Sequence, residues 1–204
     1  MKLYYSPGAC SFSPHIALRE ANAPFELVKT DLKAKTTDTG KDFWSVNRAG
    51  YVPALELDDG TIVTEGPVIL QYIADNLGGK NLAPANGTME RYELQSWLNF
   101  IGTELHKGFS PLFNPNVTGD GKAALTDRLL ARIGVLDKHL ADKPYIMGQE
   151  FMLPDAYAYT VLSWAPRLKI DLSQFKNIRP YLERISSRPS VQAAKEAEAS
   201  TKAA

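Results

Sequence analysis

The chain has 204 residues, with 23 Lys and Arg against 23 Asp and Glu, three His and one Cys. At about 150 residues per domain the length allows one large domain or two small ones, and 44% hydrophobic content is enough for a core. Zero formal charge excludes the electrostatic footprint of a protein held on nucleic acid or an anionic membrane; a single Cys excludes an internal disulfide and any Cys-based zinc or iron–sulfur site.

The first elements alternate strand and helix. Leu3-Tyr4-Tyr5 predicts a short strand, followed by the turn Ser6-Pro7-Gly8. Ser11-Phe12-Ser13-Pro14 predicts a helix start, with a Ser as cap and Pro in the first turn, running through Ile16, Leu18 and Ala21 to Asn22-Ala23-Pro24. Phe25 to Val28 predicts a second strand. Ala54 to Leu57, the turn Asp58-Asp59-Gly60 and Thr61 to Val63 predict a hairpin. Ile69, Leu70, Ile73 and Leu77 then mark one face of a helix. The order is β-α-β, an irregular stretch, then β-β-α, which predicts an α/β domain over 1–78.

Gly78 to Gly87 is rich in Gly, Pro and Asn, so residues 79–87 are expected to be a linker. The formal charge is −3 through residue 78 (7 basic, 10 acidic) and +3 after it (16 basic, 13 acidic). From Thr88 the period is helical, which predicts an all-α domain over 88–204. Leu94, Trp97, Leu98, Ile101, Leu105, Phe109 and Leu112 form one stripe; Leu125, Leu129, Ile133, Leu136 and Leu140 form another. Two further helices start near Pro154 and carry Ile178 to Ile185, and the Ala/Glu/Lys-rich tail after Gln192 is expected to fray. No run approaches the ~18 apolar residues of a membrane span, and Pro7-Gly8 breaks the first residues before a signal-peptide core. A soluble, cytoplasmic protein is expected, with no membrane or nucleic-acid partner.

Four features carry chemistry. Cys10 follows a strand and a Pro-Gly turn and precedes a helix start, where the helix dipole and unpaired N–H groups favour a thiolate; Cys10 to Ser13 is the one-thiol form of a C-x-x-C motif. A free Cys is also often a small buried hydrophobe. Val52-Pro53 stands before a predicted strand; taken alone it is an ordinary trans proline at an edge, whereas a cis bond turns the Val52 main chain toward the thiol. Glu65-Gly66 opens a helix, where free N–H groups suit a ligand carboxylate and Glu65 suits an ammonium, so together they fit an α-amino acid end. At about 100° per residue Asn99, Thr103 and His106 fall within about 60° of one another, opposite the apolar stripe. A polar helix face is ordinarily solvated. His15 and His139 are assigned structural roles, and no two His have metal-ligand spacing, so no metal is expected.

Together these residues resemble the glutathione transferases, specifically the bacterial beta class. The likeness runs over essentially the whole chain. It is carried by Met1 to Ser11, Pro14-His15-Ile16-Ala17-Leu18, Gly50 to Leu55, Thr64-Glu65-Gly66-Pro67, Trp97 to Ile101 and Glu104-Leu105-His106-Lys107. The resemblance implies a thioredoxin-like N-terminal domain that binds glutathione, an all-helical C-terminal domain, and a homodimer. It implies that Cys10 lies at the glutathione sulfur and forms a mixed disulfide with it, that Lys35 reaches the glycine carboxylate, and that Val52 and Pro53 present main chain to the cysteinyl unit. Glu65 and Gly66 would hold the γ-glutamyl end. Asn99, Thr103, Glu104, Leu105 and His106 fall on the ligand-contacting stretch of the long helix, some of it reaching across the dimer. His106 would tune the thiolate or act as acid and base, with Lys107 adding positive field.

The chain departs from the family at two places. Gly66 stands where the family usually has Ser, which removes one hydroxyl contact. Met152 stands where it has a Ser or Thr helix cap, leaving Asp155 to serve its half of the capping box, at a cost of ~1 kcal/mol. The expected activity is transfer of glutathione to hydrophobic electrophiles, in a pocket lined by residues such as Phe113, Tyr157 and Trp164. The alternatives are glutathione-dependent thiol–disulfide exchange or reductive dehalogenation, and, in a different class, a non-catalytic interaction module. The last is disfavoured because Cys10, Glu65 and His106 are all present. Tyr4 and Tyr5 are expected to pack in the first strand.

Overall fold

The computed structural model describes residues 1–78 and 81–200. The chain forms two compact units, Met1–Ala83 with the segment from Arg188 onward, and Pro84–Ser187. Of the expected linker, residues 79 and 80 lie outside the described residues.

The first unit is built on a five-stranded mixed sheet in the order β3-β2-β1-β4-β5. Strand β1 (Lys2–Tyr5) pairs parallel to β2 (Glu26–Asp31) and antiparallel to β4 (Ala54–Glu56), which pairs with β5 (Ile62–Thr64) as the expected hairpin. Strand β2 runs to Asp31, further than expected, and β3 (Thr36–Thr37) has no apolar alternation to announce it; pairing of Thr30 with Thr37 and Asp31 with Thr36 makes it a strand. Side chains alternate across β1. Tyr4 packs with Val28, Phe43, Val46, Val52 and Ala54 on one face, while Leu3 and Tyr5 are wholly buried on the other. Helix α1 (Phe12–Glu20) packs on α2 (Gly66–Asn76).

The last helix, α8 (Pro189–Ser200), also packs on α1. The expectation counted this segment with the helical half and left the tail to fray. Instead Val191 and Ala194 are fully buried, and Glu198 is 5% exposed. Its carboxylate takes the Gly8 N–H (2.9 Å) and the His15 Nδ1 (3.0 Å), while Arg188 and Ser190 hold Glu20 at the end of α1. An Ala/Glu/Lys composition suggests fraying only where nothing receives the helix; here one buried and one half-buried polar anchor and an apolar stripe do.

The second unit is helical. Helix α3 (Met89–Phe100) is capped by Thr88, whose hydroxyl accepts the Arg91 N–H at 3.2 Å. It continues without a break into a π-helical turn, Ile101–His106, and a short helix α4 (Lys107–Phe109), followed by α5 (Gly119–His139), α6 (Leu153–Leu162) and α7 (Ile178–Ser186). Both expected stripes face inward: Leu94, Leu98, Ile101, Leu105 and Phe109 are at most 1% exposed, and so are Leu129, Ile133 and Leu136. Among the described residues no helix is long and apolar enough to cross a membrane.

One carboxylate organises the second half of this unit. Asp155, wholly buried, accepts the Met152 and Ile146 N–H groups (both 2.9 Å) and the Tyr181 hydroxyl (3.0 Å). Its half of the capping box is intact, and burial beside that carboxylate pushes the Tyr181 phenol well above its ordinary range. Asp155→Ala strands two buried donors and a half-buried one, so it should cost about 3 kcal/mol in urea unfolding at pH 7; an unchanged midpoint would contradict this role. A second test concerns His106, which is desolvated against α6 and held down to about 4 by burial and by Lys107. The unfolded chain takes up that proton near pH 6.5, whereas the folded chain waits until about 4. Stability is therefore fully present above pH 6.5 and falls by up to about 3 kcal/mol as pH drops from 6.5 to 4. Urea titrations at pH 7 and pH 5 should show His106→Phe losing less stability over that interval than the parent chain.

Candidate active site

Cys10 sits where β1 has ended and α1 has not begun. The loop before it is held by its own main chain, with the Ala9 N–H on Ser6 O (3.0 Å), and by Ser11, whose hydroxyl donates to Ser6 O (3.3 Å) and accepts the Ser6 N–H (3.2 Å). Ser11 therefore closes the loop and does not cap α1 as expected; Ser13 Oγ donates to Cys10 O (2.9 Å). The half-buried Cys10 thiol donates to Val52 O across 3.1 Å, and the Val52–Pro53 bond is cis. Gly66 opens α2 beside it: a Cβ there would meet only Pro53 Cγ, at 3.9 Å, which leaves room for the hydroxyl this chain lacks. Cys10, Val52, Pro53 and Gly66 are thus one cluster.

Glu65 precedes Gly66 at φ 66°, a left-handed conformation that costs a non-glycine residue about 1–3 kcal/mol. Its carboxylate is exposed with no partner among the described residues, while its carbonyl accepts the Val68 (3.0 Å) and Ile69 (2.9 Å) N–H groups that begin α2. Lys35, also left-handed at φ 58°, donates from Nζ to Gly50 O (2.7 Å), with its ammonium 5.5 Å from the Trp44 ring centre and 5.2 Å from that of Tyr51. Glycine suits position 50, because a Cβ would lie 2.6 Å from the Trp44 ring at a φ of +66°. Tyr5 is core, and the Tyr4 hydroxyl donates to Glu56 (2.6 Å), with burial and that carboxylate raising its pKa, so neither is a nucleophile.

The expected polar face in the second unit divides. Asn99 and Thr103 are exposed together, the Thr103 hydroxyl donating to Asn99 O (3.0 Å). His106 does not share their face. The π turn, closed by Lys107 N–H on Gly102 O, has more residues per turn than the α-helix from which the 60° spread was projected. His106 instead turns toward α6, its Nδ1 2.6 Å from the Tyr157 hydroxyl and its ring edge-on to Trp164 at 5.1 Å. Trp164 meets Phe113 edge-on at 5.6 Å, so the three residues expected to line a pocket form one aromatic cluster with His106. Glu104 pairs with Arg132 (2.9 Å), Lys107 is exposed, and Leu105 is wholly buried, so Leu105 has only main chain to present. The expectation placed Tyr157 in the lining but missed its bond to His106, since no local pattern signals a contact spanning 51 residues. Among the described residues no group of three His, Cys, Asp or Glu side chains is placed to hold a metal ion.

Residues 1–75 match the family model for the glutathione S-transferase N-terminal domain and residues 100–189 that for the C-terminal domain. Glutathione S-transferase GstA of Escherichia coli O157:H7 is 44% identical over 97% of this chain and 98% of its own. Among solved structures, the ternary complex of BphK, a bacterial glutathione transferase, superposes with a TM-score of 0.95 at 53% identity, covering 98% of this chain and all of that one. A sphingomonad glutathione S-transferase complexed with glutathione gives 0.94 at 46% identity (98% and 99% covered), and the beta-class enzyme of Sphingomonas chungbukensis gives 0.93 at 49% (97% and 98%). The chain belongs to the glutathione S-transferase family, and its likeness within that family is to the bacterial beta class.

Proposed function

We propose that the protein conjugates glutathione to hydrophobic electrophilic small molecules, and that Cys10 exchanges with glutathione to form a mixed disulfide. The observation that carries this reading is the meeting of the Cys10 thiol, the Val52 main chain and the start of α2 in one cluster. Val52 presents main chain to the cysteinyl unit of the tripeptide. Gly66 at the helix N-terminus takes the γ-glutamyl carboxylate, and Glu65, unpaired and exposed, takes its ammonium. Lys35, set between two aromatic rings, takes the glycine carboxylate.

In conjugation the glutathione thiol gives its proton to solvent, its sulfur bonds the electrophilic carbon, and a leaving group such as halide departs with the bonding pair. His106 and Lys107 act on that thiolate by stabilising its charge, Asn99, Thr103 and Glu104 contribute to the ligand-contacting stretch, and the cluster of Phe113, Tyr157 and Trp164 suits apolar aromatic groups. A protein thiol at this place favours a second chemistry. The Cys10 thiolate attacks glutathione disulfide, the S–S bond breaks, and one glutathione thiolate leaves while the other glutathionyl group stays on the protein. The working form is a cytoplasmic homodimer, a reading supported by exposed apolar side chains in each unit, Tyr51 and Val68 in the first and Met89 and Tyr92 in the second.

Two measurements test this reading. Calorimetry should detect glutathione binding, and Glu65→Ala should weaken it about tenfold or more, because a ligand ammonium loses its charged acceptor; no binding at millimolar glutathione would remove both chemistries. Incubation with glutathione disulfide at neutral pH should add one glutathionyl group by intact mass, and Cys10→Ala should abolish the adduct while leaving part of the aryl-halide conjugation, since bound glutathione brings its own sulfur. A wild-type chain that forms no adduct returns Cys10 to a packing role.

A further inference from the structure

We propose that Tyr157 is a positioning residue that sets the tautomer of His106: its hydroxyl donates to Nδ1, which puts the imidazole proton on Nε2 and makes His106 a neutral hydrogen-bond donor instead of a general base. The proposal rests on the reading above only for what receives that donor, the glutathione thiolate.

The direction of the bond follows from its length and from the acidities of the two groups. The Nδ1 to Tyr157 Oη separation is 2.6 Å. That is shorter than the about 2.7–3.2 Å kept by N–H donors to oxygen. A phenol is also a stronger acid than a neutral imidazole N–H, and an imidazole nitrogen is a far stronger base than a phenol oxygen, so the proton belongs on the oxygen side. A ring accepting at Nδ1 carries its own proton at Nε2, which has no partner among the described residues. The ring is also held in orientation, edge-on to both Tyr157 (5.8 Å, 90°) and Trp164 (5.1 Å, 67°). Tyr157 is 3% exposed on α6, and His106 closes the π turn that swings it off the solvated face, so backbone and side chain converge on a single placement.

The charge state agrees. Burial and the neighbouring Lys107 keep His106 neutral at pH 7, and a base that protonates only near pH 4 is badly matched to removing a proton from a thiol. A fixed N–H donor suits the other task, stabilising sulfur charge as it forms, without reorganisation.

Nitrogen-15 NMR of the full-length protein with labelled histidine decides the matter at neutral pH. The wild type should show His106 with Nε2 protonated and Nδ1 bare, and Tyr157→Phe, which keeps the ring packing and removes only the hydroxyl, should populate the second tautomer. An Nδ1-protonated or doubly protonated ring in the wild type overturns the proposal, as does an unchanged tautomer in Tyr157→Phe. With glutathione and 1-chloro-2,4-dinitrobenzene, His106→Gln, whose amide N–H falls near the Nε2 position, should turn over about tenfold faster than His106→Phe; equal rates overturn the donor role. A wild-type chain with no conjugating activity would overturn the reading of the site and leave the tautomer to the NMR result.

Discussion

The Cys10 loop depends on a carboxylate 190 residues away. Glu198 Oε2 takes the Gly8 N–H and Oε1 the His15 ring, and Arg19 Nε donates in turn to His15 Nε2 at 2.9 Å. A carboxylate so nearly buried persists only with its lone pairs used. The same bonds that satisfy it hold the loop from which Cys10 reaches Val52. Glycine at position 8, with φ at +71°, lets the chain turn its amide to that acceptor. Cys10 is thus positioned from the opposite end of the sequence.

Strain and satisfaction are distributed unevenly over the molecule. Several charges with no part in the proposed chemistry are paired: Glu20 with Arg188, Glu56 with Tyr4 and Lys2, Asp137 with Asn177. Glu65 and Lys35 share a left-handed backbone, and the carboxylate of Glu65 is left to solvent. Backbone of this kind is held by the surrounding structure, at Asn22 and Lys169 as well.

Periodicity made the helices and the hairpin legible, because burial repeats every few residues along α2, α3 and α5 and the Asp-Gly turn is a local signal. The single Cys before a helix start and the Glu-Gly pair at another were legible as chemistry for the same reason. Three things were not. The π turn at Ile101–His106 leaves no compositional trace, so an α-helical projection put His106 on the wrong face. Strand β3 is made by its pairing with β2 and a bridge from Thr36 to Asp42. The docking of α8 turns on contacts with residues near the other end of the chain, which no window of the sequence contains.

The first unit is discontinuous: it leaves off at Ala83 and resumes at Arg188. During synthesis its sheet, its loop and Cys10 emerge first, yet the acceptor for Gly8 and His15 emerges only after the whole helical unit has been made. At roughly 5–20 residues per second the interval lasts on the order of ten seconds. A nascent chain in that window carries a thiol on a loop that is not yet tied down. Maturation of the Cys10 loop is therefore coupled to completion of the helical unit, and a fragment ending at Ala83 would carry Cys10 without the carboxylate that holds its loop.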